Sequence, residues 1–173
     1  MRESLPDEVD HLIADWRRER PDLNVDPLQV LSRLTRIAKH LDRLRRQAFA
    51  RSELDGWEFD VLAALRRNGA PFQLAPKALM QQNLVSSGTM TNRIDRLVER
   101  GLVTRQTDPN DGRGIIVEMT PAGLTRVDAA MTRLVDAETE LLAGFTALER
   151  HRFAELLRAL RAEFGASGEF DGD

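Results

Sequence analysis

Residues 84–103 decide the fold, and they read LVSSGTMTNRIDRLVERGLV. Ser86 is a good N-cap for a helix that begins here, and Gly101 ends it. At about 100° per residue, the apolar side chains between these positions fall on one side of the helix. That side is predicted to face the core and contains Met90, Ile94, Leu97 and Val98.

The opposite side of this helix carries small hydrogen-bonding groups, an arginine and a glycine. Such a surface suits the major groove of DNA, where Asn92 can read adenine edges and Arg96 can read guanine edges. Hydroxyl groups near the helix N-terminus can reach phosphates or bases, and they belong to Ser86, Ser87, Thr89 and Thr91. An ordinary capped surface helix has the same pattern, so this face alone leaves both interpretations open.

Two strands are predicted directly after this helix, at residues 102–106 and 114–119. The turn-rich segment between them predicts a β-hairpin with a long tip. Arg113 lies in this tip, where it is well placed for the minor groove and its negative potential. An arginine in a polar turn also needs no binding role, which is the alternative interpretation.

Turn and capping signals predict further helices on both sides of this block. One spans residues 7–20, and a long second helix opens at Asp26, the predicted N-cap, with Pro27 at its first position. Shorter helices are predicted at residues 57–67 and 76–82, and two more follow Thr120 and Thr146. The last helix is predicted to turn five apolar side chains inward: Phe153, Leu156, Leu157, Leu160 and Phe164.

The predicted fold class is mainly α with a small β-hairpin, arranged as a winged helix-turn-helix flanked by N- and C-terminal dimerisation helices. The N-terminal helices occupy residues 1–55 and the winged helix-turn-helix residues 56–120. The C-terminal dimerisation helices occupy residues 121–164, and residues 165–173 form a flexible acidic tail. The terminal helices are rather apolar for a free surface, which favours a homodimer.

The composition excludes several classes of protein. The chain has 173 residues, of which 42% are hydrophobic and 31% charged, as expected of a globular protein rather than a disordered one. Without cysteine there is no disulfide, thiolate metal site or thiol switch. No apolar run reaches the roughly 20 residues of a membrane span, and the first residues lack a signal-peptide core. A soluble, cytoplasmic protein without membrane contact is expected.

The motifs of enzymes and metal sites are missing from the sequence. The three histidines lie on different predicted helices, and His11 with Asp15 has metal-ligand spacing but lacks a third ligand. No phosphate-binding glycine motif occurs, and no hydroxyl nucleophile has a histidine at suggestive spacing. We therefore expect no catalytic residue, no metal, no cofactor and no enzymatic activity.

The charge balance leaves a second functional class open. The net charge of −3 argues against a globally cationic nucleic-acid binder, although it permits DNA binding through a local surface. A winged-helix protein-interaction module without an effector ligand is therefore the alternative to a DNA-binding protein. A steep salt dependence of DNA binding separates the two, because phosphate contacts release counterions.

The chain resembles the MarR family of bacterial transcriptional regulators over nearly its whole length. The resemblance is most specific in residues 84–103 and in the wing, residues 108–114, which leads into residues 118–123. It implies a homodimer that binds a pseudo-palindromic operator in double-stranded DNA, with repression as the expected effect. Two recognition helices related by a twofold axis would enter major grooves about 34 Å apart. Many members have a second basic residue where Gly112 stands, which implies a weaker wing contact here.

The added N-terminal helix resembles the urate-responsive, PecS-type branch of that family. This resemblance implies a ligand site for a small anionic aromatic effector, such as urate or another purine, made of Trp16, Asp60, Arg67 and Arg93. The implied mechanism is attenuation: the anion engages Arg67 and Arg93, is repelled by Asp60, and draws the recognition helix out of register with the operator.

The residues themselves also favour a polar site at this position. Asp60 and Arg67 lie two turns apart on the predicted helix at residues 57–67 and differ by roughly 20° in azimuth, opposite its apolar face. An aromatic plate with two arginines suits a planar anion. The alternatives are that Trp16 belongs to the core, that Asp60 and Arg67 are solvated charges, and that Arg93 contacts a phosphate.

Overall fold

Seven helices and three strands lie within residues 5–108 and 114–166, the part of the chain that the computed structural model describes. The helices are α1 (Glu8–Glu19), α2 (Leu28–Ala50), α3 (Gly56–Arg67), α4 (Pro76–Asn83), α5 (Ser87–Glu99), α6 (Pro121–Leu141) and α7 (Ala147–Ala166). The strands are β1 (Gln73–Leu74), β2 (Val103–Thr107) and β3 (Ile115–Met119). The predicted mainly α class with a small hairpin is confirmed. Within the same residues, none of the helices has the length and apolar character of a membrane span.

Helix α3 lies at the centre of the main core. Its residues 61–65 are all buried, and they share one cluster with the apolar face of α5 and with buried residues of β3 and α6. The predicted inward residues Met90, Ile94 and Leu97 are buried as expected. Val98 is 39% exposed, so the prediction that it faces the core was wrong. The core therefore fixes α5 from one side and leaves the other side free.

The sheet is antiparallel and its strands are ordered β1-β3-β2. The predicted hairpin of β2 and β3 is confirmed, with Val103 opposite Met119 and Thr107 opposite Ile115. Strand β1 was not predicted, because its two residues are too few to show a periodicity. The hairpin tip at residues 109–113, which includes Arg113, lies outside the described residues.

Helix α1 packs on the N-terminal part of α2 through a small core of its own, separate from the main one. Val9, Ile13 and Val25 are buried there. Arg33 on α2 bonds both carboxylate oxygens of Asp7, the N-cap of α1, at 2.8 and 2.9 Å. The Arg33 guanidinium holds the pKa of the Asp7 carboxyl well below its usual range. Apolar burial and ion pairs together attach α1 to α2.

The prediction that Asp26 caps α2 was wrong. Pro27 occupies the N-cap position without any side-chain cap bond. The carboxylate of Asp26 instead accepts a 2.8 Å hydrogen bond from Arg17 on α1. A charge-assisted bond to a neighbouring helix has replaced the local cap, and the sequence pattern of α2 alone does not reveal that competitor.

Helix α7 differs from the prediction that its apolar stripe faces inward. Among its described side chains, residues 147–164, none is buried, and Leu156 is 69% exposed. Four of the five predicted inward residues are exposed in the single chain, and Leu160 is half-buried. In the single chain, the described residues outside α7 do not cover this stripe, so its side chains stay exposed.

Replacing Gly123 with alanine is expected to lower the free energy of unfolding by roughly 1–3 kcal/mol. Gly123 lies in the first turn of α6, where a Cβ would overlap the carbonyl oxygen of Leu102 and lie 3.0 Å from Met119 Cγ. That carbonyl accepts a bond from the Thr120 amide, so it cannot move freely. Urea unfolding measures the difference. Gly56→Ala is the control, because its Cβ meets no atom within 4 Å; equal losses in both variants would contradict the steric explanation.

Candidate DNA interface and ligand site

Helix α5 has the N-cap and the orientation that are expected of a recognition helix. The Ser86 hydroxyl accepts a 3.3 Å bond from the Thr89 amide and caps the helix, as predicted. The apolar side of α5 is packed on the main core, so its polar side points away from the protein. All six of the predicted DNA-contacting residues in the described chain are exposed: Ser86, Ser87, Thr89, Thr91, Asn92 and Arg96.

The hydroxyl groups at the start of α5 are not equivalent as hydrogen-bond donors to a phosphate. Phosphate oxygens accept hydrogen bonds, so a hydroxyl binds one only with a free proton. Thr91 Oγ1 donates its proton to the Ser87 carbonyl at 3.0 Å, and the Ser86 and Thr89 hydroxyls share a 3.0 Å bond. The Ser87 hydroxyl forms no hydrogen bond within residues 5–108 and 114–166. Ser87 and one hydroxyl of the Ser86–Thr89 pair therefore keep a proton for a phosphate oxygen, whereas Thr91 does not.

Trp57 lies beside the recognition helix, although no sequence pattern had marked it as a candidate residue. Its ring centroid is 5.8 Å from the guanidinium carbon of Arg93 and 5.0 Å from that of Arg96. These three residues, with Gly88, Thr89 and Asn92, line an open hollow of about 460 Å³ between α3 and α5. The signal that could have found Trp57 is its position one turn before Asp60 on α3.

A buried carboxylate holds the C-terminal end of α5. Glu58 on α3 is 2% exposed and accepts bonds from the Asp55 amide and from the guanidinium of Arg100. Arg100 also donates to the Glu53 carbonyl at 2.6 Å. A buried charge is tolerated only when it is paired in this way, so the contact ties the end of the recognition helix to α3.

The four predicted ligand residues are only partly brought together. Asp60 and Arg67 are both exposed on α3, and Arg93 is half-buried on the flank of α5. Trp16 lies on α1 and is 46% exposed, next to a hollow that Leu23, Val25 and Leu28 help to line. In the described part of the chain, no hydrogen bond, ion pair or ring contact joins any two of these four residues.

The candidate ligand residues on α3 are free to accept a new partner. Neither the Asp60 carboxylate nor the Arg67 guanidinium forms a hydrogen bond or an ion pair within residues 5–108 and 114–166. The neighbouring Arg66, by contrast, pairs with Asp128 on α6 at 2.8 Å. A ligand that engages Arg67 would therefore not need to break a salt bridge of the protein.

Within the described residues, no group of three or more metal-binding side chains occurs.

Comparison with known proteins identifies the family. Residues 52–114 match the MarR family. The HTH-type transcriptional regulator PecS of Dickeya dadantii (strain 3937) is 33% identical over 150 residues, which are 87% of this chain and 90% of PecS. The chain belongs to the MarR family. The multiple antibiotic resistance protein MarR of Salmonella typhimurium is 30% identical over 120 residues, which cover 69% of this chain and 81% of that protein.

Solved MarR-family structures have the same fold. The apo form of wild-type MarR from E. coli superposes with a TM-score of 0.62 at 29% identity and covers 75% of this chain and 95% of MarR. A mutant of that protein, complexed with operator DNA, gives a TM-score of 0.63 at 26% identity over 84% of this chain and 96% of the mutant. The predicted winged helix-turn-helix is thereby confirmed.

The family assignment decides between the two functional classes. This MarR-family chain is a DNA-binding transcriptional regulator, and the interpretation as a protein-interaction module is set aside. Its relatives are transcription regulators and not enzymes, in agreement with the prediction. Regulation by a small molecule occurs among similar structures: Bordetella bronchiseptica BpsR, whose DNA binding is regulated by 6-hydroxynicotinic acid, has a TM-score of 0.65 at 25% identity, covering 80% of this chain and 97% of BpsR.

Proposed function

We propose that this regulator is a homodimeric repressor whose binding to a pseudo-palindromic operator is weakened by a small anionic aromatic ligand, such as urate or another purine. The observation that carries the proposal is the placement of polar side chains on two sides of α5. Its exposed side presents Asn92 and Arg96, while Arg93 on its flank lies over the ring of Trp57 on α3. One helix thus has a surface for DNA and a surface for a ligand.

The proposed DNA contacts divide by chemistry. Asn92 and Arg96 read base edges in the major groove, since their side chains form bidentate bonds with adenine and guanine. Ser86, Ser87, Thr89 and Thr91 bind phosphates or bases near the helix N-terminus. Arg113 in the wing enters the minor groove.

The proposed homodimer is supported by the unburied apolar stripes. Helix α7 exposes Phe153, Leu156 and Leu157. Helices α2 and α6 also expose apolar side chains, including Ile37 and Val135. Exposed apolar side chains grouped on helices in this way favour an interface, which a closed dimer would cover with one self-complementary contact. The terminal helices in residues 1–55 and 121–164 then act as dimerisation elements on either side of the DNA-binding unit, residues 56–120.

The proposed ligand site is made of Trp16, Asp60, Arg67 and Arg93. A planar anion suits it, because guanidinium groups bind anions bidentately and an indole stacks on a flat heterocycle. The similarity to PecS and to BpsR supports an anionic aromatic effector. Engagement of Arg93 by the ligand would move the flank of α5 and displace its DNA-reading side. Attenuation follows only if the ligand binds the displaced conformer more tightly.

A gel-shift titration on DNA upstream of the regulator's own gene, with and without excess urate, tests this proposal. The wild type is expected to bind in the presence of competitor DNA, and urate is expected to weaken that binding. Arg67→Ala is expected to keep its DNA affinity and lose the response to urate, whereas the control Arg66→Ala keeps both, since Arg66 pairs with Asp128 outside the site. An unchanged urate response in Arg67→Ala would overturn the ligand site. If urate does not change the DNA binding of the wild type, the proposed ligand is wrong, while the DNA-binding function stands.

A further inference from the structure

The first turn of α3 contacts three arginines, of which two lie in the recognition helix and the third is its C-cap residue. Trp57 lies under Arg93 and Arg96, and the next residue, Glu58, pairs with Arg100. The arginines are spaced by three and four residues, so they lie along one side of α5. Two adjacent residues of α3 thus contact this side of α5 along the C-terminal half of the helix.

The contacts of Trp57 differ in kind from the contact of Glu58. Glu58 and Arg100 form a buried, hydrogen-bonded ion pair, which fixes the helix itself. The side chains of Arg93 and Arg96 form no ion pair or hydrogen bond within residues 5–108 and 114–166. Their guanidinium groups are held by the π face of one indole, which attracts cations without saturating their hydrogen-bond donors. All five N–H donors of Arg96 therefore stay available to a base edge.

A shared ring also makes the two arginines dependent on each other. Arg93 and Arg96 carry like charges three residues apart, and the negative face of the indole offsets their repulsion. A free arginine side chain loses rotamer entropy when it is ordered. An arginine already ordered over a ring loses less on binding, so the preorganised side chain binds DNA more tightly.

We propose that Trp57 is a positioning residue for operator recognition, which holds the guanidinium of Arg96 ready for a base edge and links it to Arg93. The inference rests on the proposed role of Arg96 in reading DNA. It adds a residue on α3, outside the recognition helix, to the set that determines DNA affinity. It also gives a physical link between the ligand and the operator, because withdrawal of Arg93 from the ring changes the charge environment of Arg96.

A double-mutant cycle on operator DNA separates positioning from plain structural support. Trp57→Leu is expected to weaken operator binding about tenfold, the size of a partly desolvated cation–π contact. Trp57→Phe, which keeps a π face, is expected to weaken it less than about threefold. In the Arg96→Ala background, Trp57→Leu is expected to change operator affinity less than about twofold, because the side chain that it positions is gone.

Each arm of this cycle has an outcome that overturns one specific claim. If Trp57→Leu weakens binding equally in the wild-type and Arg96→Ala backgrounds, Trp57 acts through the packing of the core and the inference is wrong. If Trp57→Leu binds the operator like the wild type, the inference is wrong as well. If Arg96→Ala by itself leaves operator affinity unchanged, the DNA role proposed for Arg96 fails, and the positioning role of Trp57 fails with it.

Discussion

Leu156→Glu is expected to convert the protein from a dimer to a monomer and to weaken operator binding by about 100-fold or more, because the second half-site is no longer bound in the same complex. Leu156 lies in the exposed apolar stripe of α7 and is 69% exposed in the single chain. A glutamate there would be buried without a partner in the proposed dimer, which is strongly unfavourable. Sedimentation measures the association, and a titration on full and half operators measures the affinity.

The matched control for this variant adds the same charge to the opposite side of the same helix. Ala162 is exposed, and at about 100° per residue it lies roughly opposite the stripe. Ala162→Glu is expected to remain a dimer with nearly unchanged operator affinity. A Leu156→Glu protein that sediments as a dimer would show that α7 is not the dimerisation element. If both variants sediment as monomers, the substitutions have damaged α7 in general.

Asn92→Ala is expected to weaken operator binding by about 100-fold in the dimer and to leave non-specific DNA binding nearly unchanged. Asn92 is exposed on the polar side of α5, and a bidentate contact to a base is worth roughly 1–3 kcal/mol in each half-site. The amide is uncharged, so the slope of affinity against salt is expected to stay the same. Titrations on operator and random DNA at several salt concentrations measure both quantities.

Gln47→Ala is the control for the asparagine variant, because it also removes an exposed amide but lies on α2, outside the proposed interface. Its operator affinity is expected to match the wild type. Operators with single base-pair substitutions add a sharper test: Asn92→Ala should tolerate a change at one position in each half-site. Equal losses on operator and random DNA would show that Asn92 does not read sequence.

Local signals predicted the recognition helix well. Ser86 caps α5 and Thr120 caps α6, because such caps depend on residues two or three positions away. The buried side of α5 followed from its helical periodicity, with the exception of Val98. Val98 lies at the edge of the apolar stripe, and periodicity alone does not tell how far a core extends around a helix.

Signals that depend on distant residues were missed. Asp26 has the residue type of a cap, but Arg17 from the preceding helix binds its carboxylate. Trp57 looked like the first residue of a helix, yet its cationic partners lie on α5, far along the chain. Glu58 was not among the candidate residues predicted from the sequence, because its partner Arg100 lies 42 positions along the chain. In each case the partner is chosen by packing and not by spacing.

Capping and hydrophobic periodicity act over a few residues, so the helices, the hairpin and the polar side of α5 could be predicted without the structure. It also indicated the family, through the motif at residues 84–103. The folded chain was needed to show which aromatic ring lies beside the recognition helix, which acid anchors that helix, and which apolar stripe stays uncovered. The contacts of Trp57 and Glu58 join α3 to α5, which are distant in sequence and meet only in the folded chain.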